Sequence, residues 1–384
     1  MKADIFNKPG ISIVTPTLGR VKLFEKMLES INTSLLHYEG QSEVIIIDSS
    51  IPGESEKIED ICNRLGAIYH HMENNVRKKR NWGVEQSRYP IVLFIDSDCQ
   101  ADINLLAEHA QVYAQEGAEL IGGVVGLTRF IGDENWIWKV IKSSSTLNAF
   151  SYPELHKIVP WGPTCNMSYR REVIHKLGLF DDRFPFPLGG DDVDMGLRVT
   201  DAGYKLVTNK NAIVEHDKET WRGVLLIGKR EFRWGRMHFH LLRKHQHRLF
   251  FNPPSVPSIF LLLLLLLSPF LIGGHIVLWL FFPIFWLLLD LIFETLFLKS
   301  KFVGVNEKFF YVLGTCVLSL VFQTGCLLEG IKNGSILQIF NDIAYCPPSP
   351  TGRSRGIAHI WAVTLSLMGS FLLLIIIPLS LKVF

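Results

Sequence analysis

Short apolar segments alternate with amphipathic ones along the first 125 residues, and this alternation limits the folds open to the chain. Ile11–Thr15, Glu43–Asp48 and Ile91–Ile95 are rich in Val and Ile, as strands buried on both faces are. Between them, apolar residues recur at helical spacing. We also predict strands at 67–71 and 120–125 and helices at 21–36, 54–65, 76–86 and 103–115. This order predicts an α/β fold with a mostly parallel sheet flanked by helices.

Two of the predicted strands end in an aspartate, Asp48 and Asp96. Parallel sheets bind ligands beyond the carboxyl ends of their strands, so the functional site is expected there. The sequence has no G-x-G-x-x-G after the first strand and no G-x-x-x-x-G-K-[ST] anywhere. The dinucleotide fingerprint and the P-loop are therefore both excluded, and a bound nucleotide needs another device to hold its phosphates.

The segment Asp96-Ser97-Asp98 places two carboxylates at the end of a buried strand. Mg²⁺ and Mn²⁺ prefer oxygen ligands, and one or two carboxylates together with a diphosphate can complete the coordination of such an ion. A bare D-x-D is weak by itself. Following the apolar run VLFI, it predicts a divalent cation held by Asp96 and Asp98. His216 follows the apolar run at 212–214 and is either a structural histidine or a third metal ligand.

A Gly-Gly pair precedes three carboxylates at Asp191, Asp192 and Asp194, where a helix is predicted to begin. Acidic residues in a first helical turn often only cap the helix and complement its dipole, and Asp194 could equally pair with a nearby cation. Two adjacent aspartates at a helix start, with a metal site elsewhere in the sheet, instead suit a general base and a partner that positions the acceptor.

Four cations, residues 77–80, follow Asn74-Asn75 and precede Asn81. Such a run is either a solvated helix face or the start of a helix that binds phosphate through its side chains and N–H groups. We favour a ligand-binding role for Arg80 and Asn81.

The composition changes abruptly at Pro253. Up to Asn252 the chain has 32 Lys+Arg and 32 Asp+Glu, whereas the last 132 residues have 7 and 5. About 20 apolar residues cross a bilayer as a helix, so residues 256–297 can hold two spans, 309–328 a third and 360–381 a fourth. We predict a multi-pass protein of the cell membrane. The basic, aromatic-rich segment 229–252 is expected at the cytoplasmic surface of the membrane, in contact with lipid.

Other classes of protein are excluded by charge and cysteine pattern. The soluble part has no net charge, which gives no general attraction to nucleic acid. Six scattered cysteines without a C-x-x-C pair make a disulfide framework or a zinc finger improbable. Met1–Gly10 is polar and does not resemble a signal peptide, so the first domain is expected to be cytoplasmic.

The order of the motifs resembles that of family 2 glycosyltransferases with a GT-A fold, over about residues 11–248. The matching pieces are ISIVTPTLGR, VIIID, NNVRKKRNWGVEQS, VLFIDSD, WGPTCNMSYRREVIHKLGLFDDRF, GGDDVDMGLRV, VEH and REFRW. The resemblance implies a GT-A-type domain, which we place at 1–228, and the composition adds a basic juxtamembrane segment at 229–252 and a transmembrane helical region at 253–384.

The resemblance also implies roles for individual residues. Thr15, Pro16 and Asp48 would contact the base and ribose of a nucleoside-diphosphate sugar, usually a uridine one. Asp96 and Asp98 would hold Mg²⁺ or Mn²⁺ and the ribose, with His216 on the metal or diphosphate. Arg80 and Asn81 would lie near the phosphates, and Asn166 would line the sugar pocket. Asp192, with Asp191, would carry catalysis. Arg233 and Trp234 would bind diphosphate and glycan.

Four positions, in three motifs, depart from the family pattern. Ser49-Ser50 replaces the second acidic residue and the Gly of D-D-G-S, Asp191 replaces Glu, and Arg230 stands where processive enzymes have Gln. The sequence predicts a membrane-anchored, inverting glycosyltransferase with a lipid-linked or glycan acceptor, in cell-envelope polysaccharide or glycolipid synthesis. Two alternatives stay open: a polyprenyl-phosphate glycosyltransferase, and a non-catalytic membrane scaffold or transport protein with a degenerate sugar-nucleotide domain.

Overall fold

The computed structural model describes residues 8–144, 146–252, 255–272, 314–335 and 340–345, with scattered positions between 274 and 310. These residues fall into two compact units. The first comprises residues up to 135, 146–222 and 345; the second comprises 136–144 and the described residues from 223 to 344.

The strands with defined bounds are, in chain order, β1 (Ile11–Thr17), β2 (Ser42–Asp48), β3 (Ile68–His71), β4 (Ile91–Ile95), β5 (Cys99–Ala101), β6 (Ile121–Ile131), β7 (Ile158–Val159), β8 (Asn166–Arg170), β9 (Lys205–Asp217), β10 (Leu249–Phe251) and β11 (Asn341–Ile343). The α-helices are α1 (Val21–Leu36), α2 (Ser55–Leu65), α3 (Val76–Gln86), α4 (Leu105–Tyr113), α5 (Trp136–Ser143), α6 (Tyr152–Leu155), α7 (Arg171–Lys176), α8 (Asp191–Asp201), α9 (Val224–Lys244), α10 (Val256–Leu266), α11 (Ser268–Ile272) and α12 (Ser319–Lys332). Single 3₁₀ turns cover Ala118–Leu120, Asn148–Ser151, Lys218–Trp221 and Gln246–Arg248, and a π-helical turn covers Gly314–Leu318.

The first unit contains a nine-stranded sheet in the order β3-β2-β1-β4-β8-β6-β9-β5, with β7 paired to β9. Strands β3, β2, β1 and β4 run parallel, as predicted. The side chains of β2, β1 and β4 are largely buried because helices cover the sheet, whereas those of the edge strand β3 are partly or fully exposed. The predicted α/β fold is confirmed. The second half of the sheet is mixed, however, because β8 lies antiparallel between β4 and β6. The expectation of a mostly parallel sheet was therefore too simple.

The second unit is organised around the pairing of α9 with α12. Gly235 of α9 lies against the backbone of Phe322, and Gly325 of α12 lies against the backbone of Phe232. The absence of a side chain at both glycines lets the two helix backbones approach closely. Beyond this crossing, the buried carboxylate of Glu329 pairs with two residues of α9, Arg236 at 2.6 Å and His240 at 3.1 Å.

The predicted membrane spans are not supported by the described residues, none of whose helices is both long enough and apolar enough to cross a membrane. Where the first span was predicted, α10 has 11 residues and ends shortly before Pro269, which cannot continue a regular helix. In the region of the third predicted span, residues 309–328, α12 begins only at Ser319. Most of the second predicted span and all of the fourth, 360–381, lie outside the described residues.

Candidate active site

The candidate site lies at one edge of the sheet, where β2, β1 and β4 end side by side. These three strands are parallel neighbours, so their carboxyl ends share that edge. Asp48 is the last residue of β2, and Asp96 directly follows β4. The sheet order therefore explains why aspartates separated in sequence can serve one site.

Arg80 joins the end of β4 to the start of α8. Its Nη1 donates a hydrogen bond to Asp191, and its Nη2 lies 3.5 Å from Oδ1 of Asp96. Arg80 and Asp191 are both buried, and the guanidinium also lies 5.7 Å from the ring centre of Phe180. One cation thus brings the D-x-D segment and the acidic helix start to the same place.

Asp192 is placed next to this bridge by the start of α8. Gly190 precedes the helix in a left-handed conformation, with φ 72°, which glycine adopts without a Cβ clash. Burial raises the pKa of Asp192 to about 7, and the adjacent Asp191 carboxylate acts in the same direction. A carboxyl group with a pKa near neutrality can exchange protons at physiological pH, as a general base must.

Asp194, the third carboxylate of this segment, has a structural role. It is buried and bonded to Arg198 one turn later, with Oδ2 3.0 Å from Nε and 2.9 Å from Nη2. Arg198 also donates to the carbonyls of Leu177 and Leu179 at 2.7 Å. Of the alternatives left open by the sequence, the structure supports pairing with a nearby cation.

Asp98 and His216 face each other across the junction of β5 and β9. Nε2 of His216 lies 3.6 Å from Oδ1 of Asp98, and Nδ1 lies 3.0 Å from the carbonyl oxygen of Asp217. A carbonyl only accepts, so Nδ1 carries the proton, and in the neutral ring Nε2 presents its lone pair toward Asp98. Burial opposes ionisation of Asp98, but the positive charges of Arg20 and of His216 in its protonated form outweigh it and lower its pKa.

Arg20 supplies a contact that the sequence did not predict. Its Nη1 lies 2.6 Å from Oδ2 of Asp98, and its backbone is left-handed at φ 57°. Arg20 directly precedes α1 and is the last residue of the segment TLGR. Nothing in the sequence beyond that motif indicated that it contacts Asp98.

The three predicted metal ligands do not all come together. One ligand atom each from Asp98, Cys99 and His216 lies within 4.8 Å of the others. Asp96 does not join this group, because its carboxylate is directed to Arg80, and burial raises its pKa in spite of that cation. Cys99, which the sequence analysis did not select, follows the D-S-D segment directly.

Asp48 is held by the loop that departs from the family pattern. Its Oδ1 accepts from the backbone N–H of Ser50 at 3.0 Å and from its hydroxyl at 2.5 Å, and Oδ2 accepts from Tyr69 at 3.1 Å. The hydroxyl oxygen of Ser50 accepts in turn from the N–H of Gly19 at 2.6 Å. Ser50 thus fastens the end of β2 to the loop after β1.

Thr15 and Pro16 lie in β1 near the same edge. The hydroxyl of Thr15 is buried without a hydrogen-bond partner, and Pro16 is partly exposed. Their contacts with a nucleotide base stay predictions.

The basic run 77–80 is not a solvated helix face. Arg77, Lys79 and Arg80 are buried, and only Lys78 is exposed, where it pairs with Glu73. Lys79 donates to the carbonyl of Thr17 at 2.7 Å, and burial lowers its pKa to about 8 against the opposing effect of Asp48. Arg77 donates to the carbonyls of Phe186 and Gly189, in the loop before α8. Neither residue was selected by itself from the sequence.

Two predicted binding residues have structural partners. Asn81 exchanges two hydrogen bonds with the backbone of Phe180, at 2.8 and 2.9 Å, so its amide positions that loop. Asn166 is fully buried; its Nδ2 donates to the carbonyls of Leu127 and Ala212, and its Oδ1 lies 2.9 Å from Nε2 of His109. Asn166 therefore fastens strands inside the sheet and does not line a sugar pocket in this conformation. Ligand binding by Asn81 stays a prediction.

Arg233 and Trp234 lie on α9, in the second unit. Burial lowers the pKa of Arg233, and the guanidinium of Arg230 lies 6.0 Å from the ring centre of Trp234. Their predicted contact with diphosphate or glycan stays a prediction.

Comparison with known proteins is consistent with this geometry. Residues 12–178 match the family described as Glycosyl transferase family 2. The match covers less than half of the chain, which is similar to this family over that segment. The segment includes Asp48, Asp96 and Asp98, but it ends before Asp192 and His216. The roles of these last two residues therefore rest on the geometry described above.

Individual relatives are distant. Glycosyltransferase AglE of Haloferax volcanii is 25% identical over 238 residues, which cover 59% of this chain and 72% of that protein. The O-antigen biosynthesis protein RfbC of Myxococcus xanthus is 24% identical over 235 residues, which cover 56% of this chain and only 18% of that much longer protein. A solved mannosyltransferase of Pyrobaculum calidifontis, PcManGT, in complex with GDP-Man and Mn²⁺, aligns with 95% of this chain and 87% of its own at 13% identity and a TM-score of 0.44.

The side chains at this edge fit a divalent cation. Asp98 offers a carboxylate oxygen, and Nε2 of His216 offers an oriented lone pair, at the separation already described. Carboxylate oxygen and imidazole nitrogen are both ligands that Mn²⁺ accepts, whereas Mg²⁺ strongly prefers oxygen. Asp98 and His216 are the residues that would hold the ion at this edge.

Proposed function

We propose that the protein is a metal-dependent, inverting glycosyltransferase that moves a sugar from a nucleoside-diphosphate donor to a hydroxyl group of a lipid-linked or glycan acceptor. The observation that carries this proposal is the bridge made by Arg80. It holds Asp191, and with it the neighbouring Asp192, beside the D-x-D segment that ends β4. A candidate base and a candidate cation site are thereby part of one arrangement.

Asp192 is the proposed general base. The acceptor oxygen attacks the anomeric carbon, the bond from that carbon to the diphosphate oxygen breaks, and the proton of the acceptor hydroxyl passes to the Asp192 carboxylate. General-base catalysis of this kind contributes ~10²–10⁴-fold in rate. A divalent cation held by Asp98 and His216 would supply charge neutralisation on the diphosphate leaving group.

Lys79 and Asp48 support a nucleotide beside the cation site. Lys79 of α3 is buried and its ammonium group contacts the carbonyl of Thr17 at the end of β1, and Asp48 is a buried carboxylate at the end of β2. The cation suits phosphate groups and the carboxylate suits sugar hydroxyls, so the pair suits a ligand that carries both. The donor proposed from the family resemblance is a uridine nucleotide sugar.

The acceptor is proposed to be presented at a membrane. The support is compositional: the last 132 residues hold 7 Lys+Arg and 5 Asp+Glu, and residues 261–267 are seven consecutive leucines. Segments of this kind partition favourably into lipid. A multi-pass protein with a cytoplasmic catalytic domain, acting in cell-envelope glycan synthesis, is the arrangement that we propose.

A donor screen tests the proposal directly. The full-length protein, purified in detergent, is incubated with a panel of sugar nucleotides, Mg²⁺ or Mn²⁺ and a membrane lipid extract, and released nucleoside diphosphate is measured. We expect release with one donor, its loss in EDTA, and a fall of at least ~10²-fold in Asp192→Asn while donor binding by calorimetry is kept. No release with any donor would instead favour the non-catalytic scaffold.

A polyprenyl-phosphate acceptor gives a different result in the same assay. Its phosphate oxygen is already ionised and needs no base. Full activity of Asp192→Asn with polyprenyl phosphate would therefore contradict the assignment of a hydroxyl acceptor.

A further inference from the structure

The strand pairing places a thiol beside the two proposed metal ligands. Cys99 of β5 is directly opposite His216 of β9 in an antiparallel pair, so their side chains lie on the same face of the sheet. Asp98 precedes Cys99 in the chain. One ligand atom from each of the three lies within 4.8 Å of the other two, and all three side chains are buried.

These donor atoms differ from those expected for a magnesium site. Mg²⁺ takes oxygen ligands and keeps several waters. Zn²⁺ is bound by cysteine sulfur, histidine nitrogen and carboxylate oxygen at about 2.0–2.3 Å, so its ligand atoms lie roughly 3.5 Å apart in a tetrahedron. The distance of 3.6 Å between Oδ1 of Asp98 and Nε2 of His216 matches this ligand-to-ligand spacing.

The ring of His216 is set for a metal by its other nitrogen. Nδ1 donates to the carbonyl oxygen of Asp217 at 3.0 Å, which fixes the ring and leaves Nε2 as the electron-pair donor. Histidines that bind metals commonly have such a second hydrogen bond. The ring also stacks on Phe130 at 5.2 Å between centres, which limits its rotation.

We propose that Asp98, Cys99 and His216 form a binding site for a thiophilic divalent cation, Zn²⁺ in solution, and that this ion inhibits transfer by excluding the hard cation from Asp98 and His216. Binding releases the thiol proton to water as the sulfur–metal bond forms. The guanidinium of Arg20 is 41% exposed and lies 2.6 Å from the carboxylate of Asp98. When the ion binds, this guanidinium either moves away from the carboxylate or contacts it together with the ion. The binding stands by itself, and the inhibition rests on the proposed function.

Cadmium reports such a site through an optical signal that is independent of activity. The full-length protein, freed of metal, is titrated with Cd²⁺, and the ultraviolet thiolate-to-metal charge-transfer absorption is recorded. We expect a saturable absorption that Zn²⁺ displaces, and that Cys99→Ser weakens in affinity by at least ~10-fold. Cys62→Ser, which alters a buried cysteine of α2 outside the group, is the matched control and should titrate like the parent.

A second variant keeps the test decisive if serine at this buried position impairs folding. Cys99→Ala preserves an apolar environment, and its melting temperature is compared with and without Zn²⁺. We expect Zn²⁺ to raise the melting temperature of the parent and of Cys62→Ser, and to leave that of Cys99→Ala nearly unchanged. Equal cadmium absorption, or an equal zinc-induced shift, in the Cys99 variants and the parent would overturn the site.

Inhibition is measured separately, through nucleoside-diphosphate release with Mg²⁺ or Mn²⁺ at rising Zn²⁺. Each variant is compared with its own rate without zinc, and Cys99→Ser should need at least ~10-fold more Zn²⁺ for half-inhibition. Unchanged zinc sensitivity in Cys99→Ser would refute inhibition through this site. Failure of the proposed function appears differently, as cadmium binding through Cys99 in a protein that transfers no sugar.

Discussion

The guanidinium of Arg80 donates a hydrogen bond to the carboxylate of Asp191, although the two residues are 111 positions apart in the sequence. Both side chains are almost fully buried, so the charges are compensated by each other and by Asp96 at 3.5 Å and not by water. A buried cation that faces two carboxylates from different elements fixes where the start of α8 lies relative to the end of β4.

Removing Arg80 should therefore damage both stability and activity. Arg80→Met leaves Asp191 buried without its cation, and breaking a buried pair in this way costs about 3–5 kcal/mol in the free energy of unfolding. Urea unfolding measures this loss. Arg64→Met is the control, because Arg64 and Glu25 form an exposed pair worth at most about 1 kcal/mol. Similar losses in the two variants would contradict a special role for the buried bridge.

The pH dependence of transfer should follow the ionisation of Asp192. A general base acts only when ionised, and burial raises the pKa of Asp192 to about 7. We therefore expect kcat/KM to fall about tenfold per pH unit below neutrality and to level off above it, measured by nucleoside-diphosphate release at saturating metal. A profile that stays flat down to pH ~5 would show that another group takes the proton.

The same raised pKa predicts that Asp192 lowers stability at high pH. The folded state favours the neutral carboxyl more than the unfolded chain does, so the stability it contributes is present below the ordinary aspartate pKa and is lost as pH rises toward about 7. Asp192→Asn has no charge to bury. Its free energy of unfolding should exceed that of the parent by on the order of 1–3 kcal/mol at pH ~8, and by much less at pH ~4. A pH-independent difference in urea unfolding would contradict this account.

Arg77 should position the loop that precedes Asp191 and the proposed base Asp192. It is fully buried, donates to the carbonyls of Phe186 and Gly189, and lies 5.0 Å from the ring centre of Phe184. Arg77→Met removes both hydrogen bonds and leaves two carbonyls without these donors. We expect kcat to fall at least ~10-fold with a smaller change in the KM for donor, together with faster proteolysis within residues 181–190.

The neighbouring Lys78→Met is the control for Arg77→Met. Lys78 is on the same helix turn but 41% exposed, and it pairs with exposed Glu73. Its kinetics and proteolysis should match the parent. Arg77→Lys, which keeps the charge but not the two-pronged geometry, should recover only part of the loss. Full recovery would mean that charge alone is needed at this position.

The parallel half of the fold was predictable because its signals are local. The predicted bounds of α1, α3 and β4 agree with the structure, since apolar periodicity and the polar segments between elements specify such units without reference to distant residues. The position of β8 between β4 and β6 depends on pairings across more than 40 residues, as in Gly123 with Tyr169. No local pattern encodes which strand enters that gap.

The gathering of the predicted residues could be foreseen from the sequence, but their individual contacts could not. Aspartates at strand ends pointed to the edge where Asp48 and Asp96 lie, whereas the group of possible ligands contains Cys99 and not Asp96. The resemblance assigned Asn166 of β8 to the sugar pocket, and no local pattern near it showed that its partner would be His109 of α4. Likewise, His238 and His240 lie in the basic segment 229–252 that was expected at the membrane surface, and their partners, Asp342 and Glu329, lie far along the chain.

The crossing of α9 and α12 gives the sharpest prediction for the second unit. A Cβ atom at Gly235 would collide with the backbone carbonyl of Phe322, which cannot move unless the whole helix moves. Gly235→Ala should therefore lower the free energy of unfolding by about 3 kcal/mol or more, seen as a lower melting temperature. Gly228→Ala is the control on the same helix: nothing lies within 4 Å of its added Cβ, so the better helix propensity should raise stability by about 0.5–1 kcal/mol. If both variants stabilised the protein, α9 and α12 would not pack as closely as described.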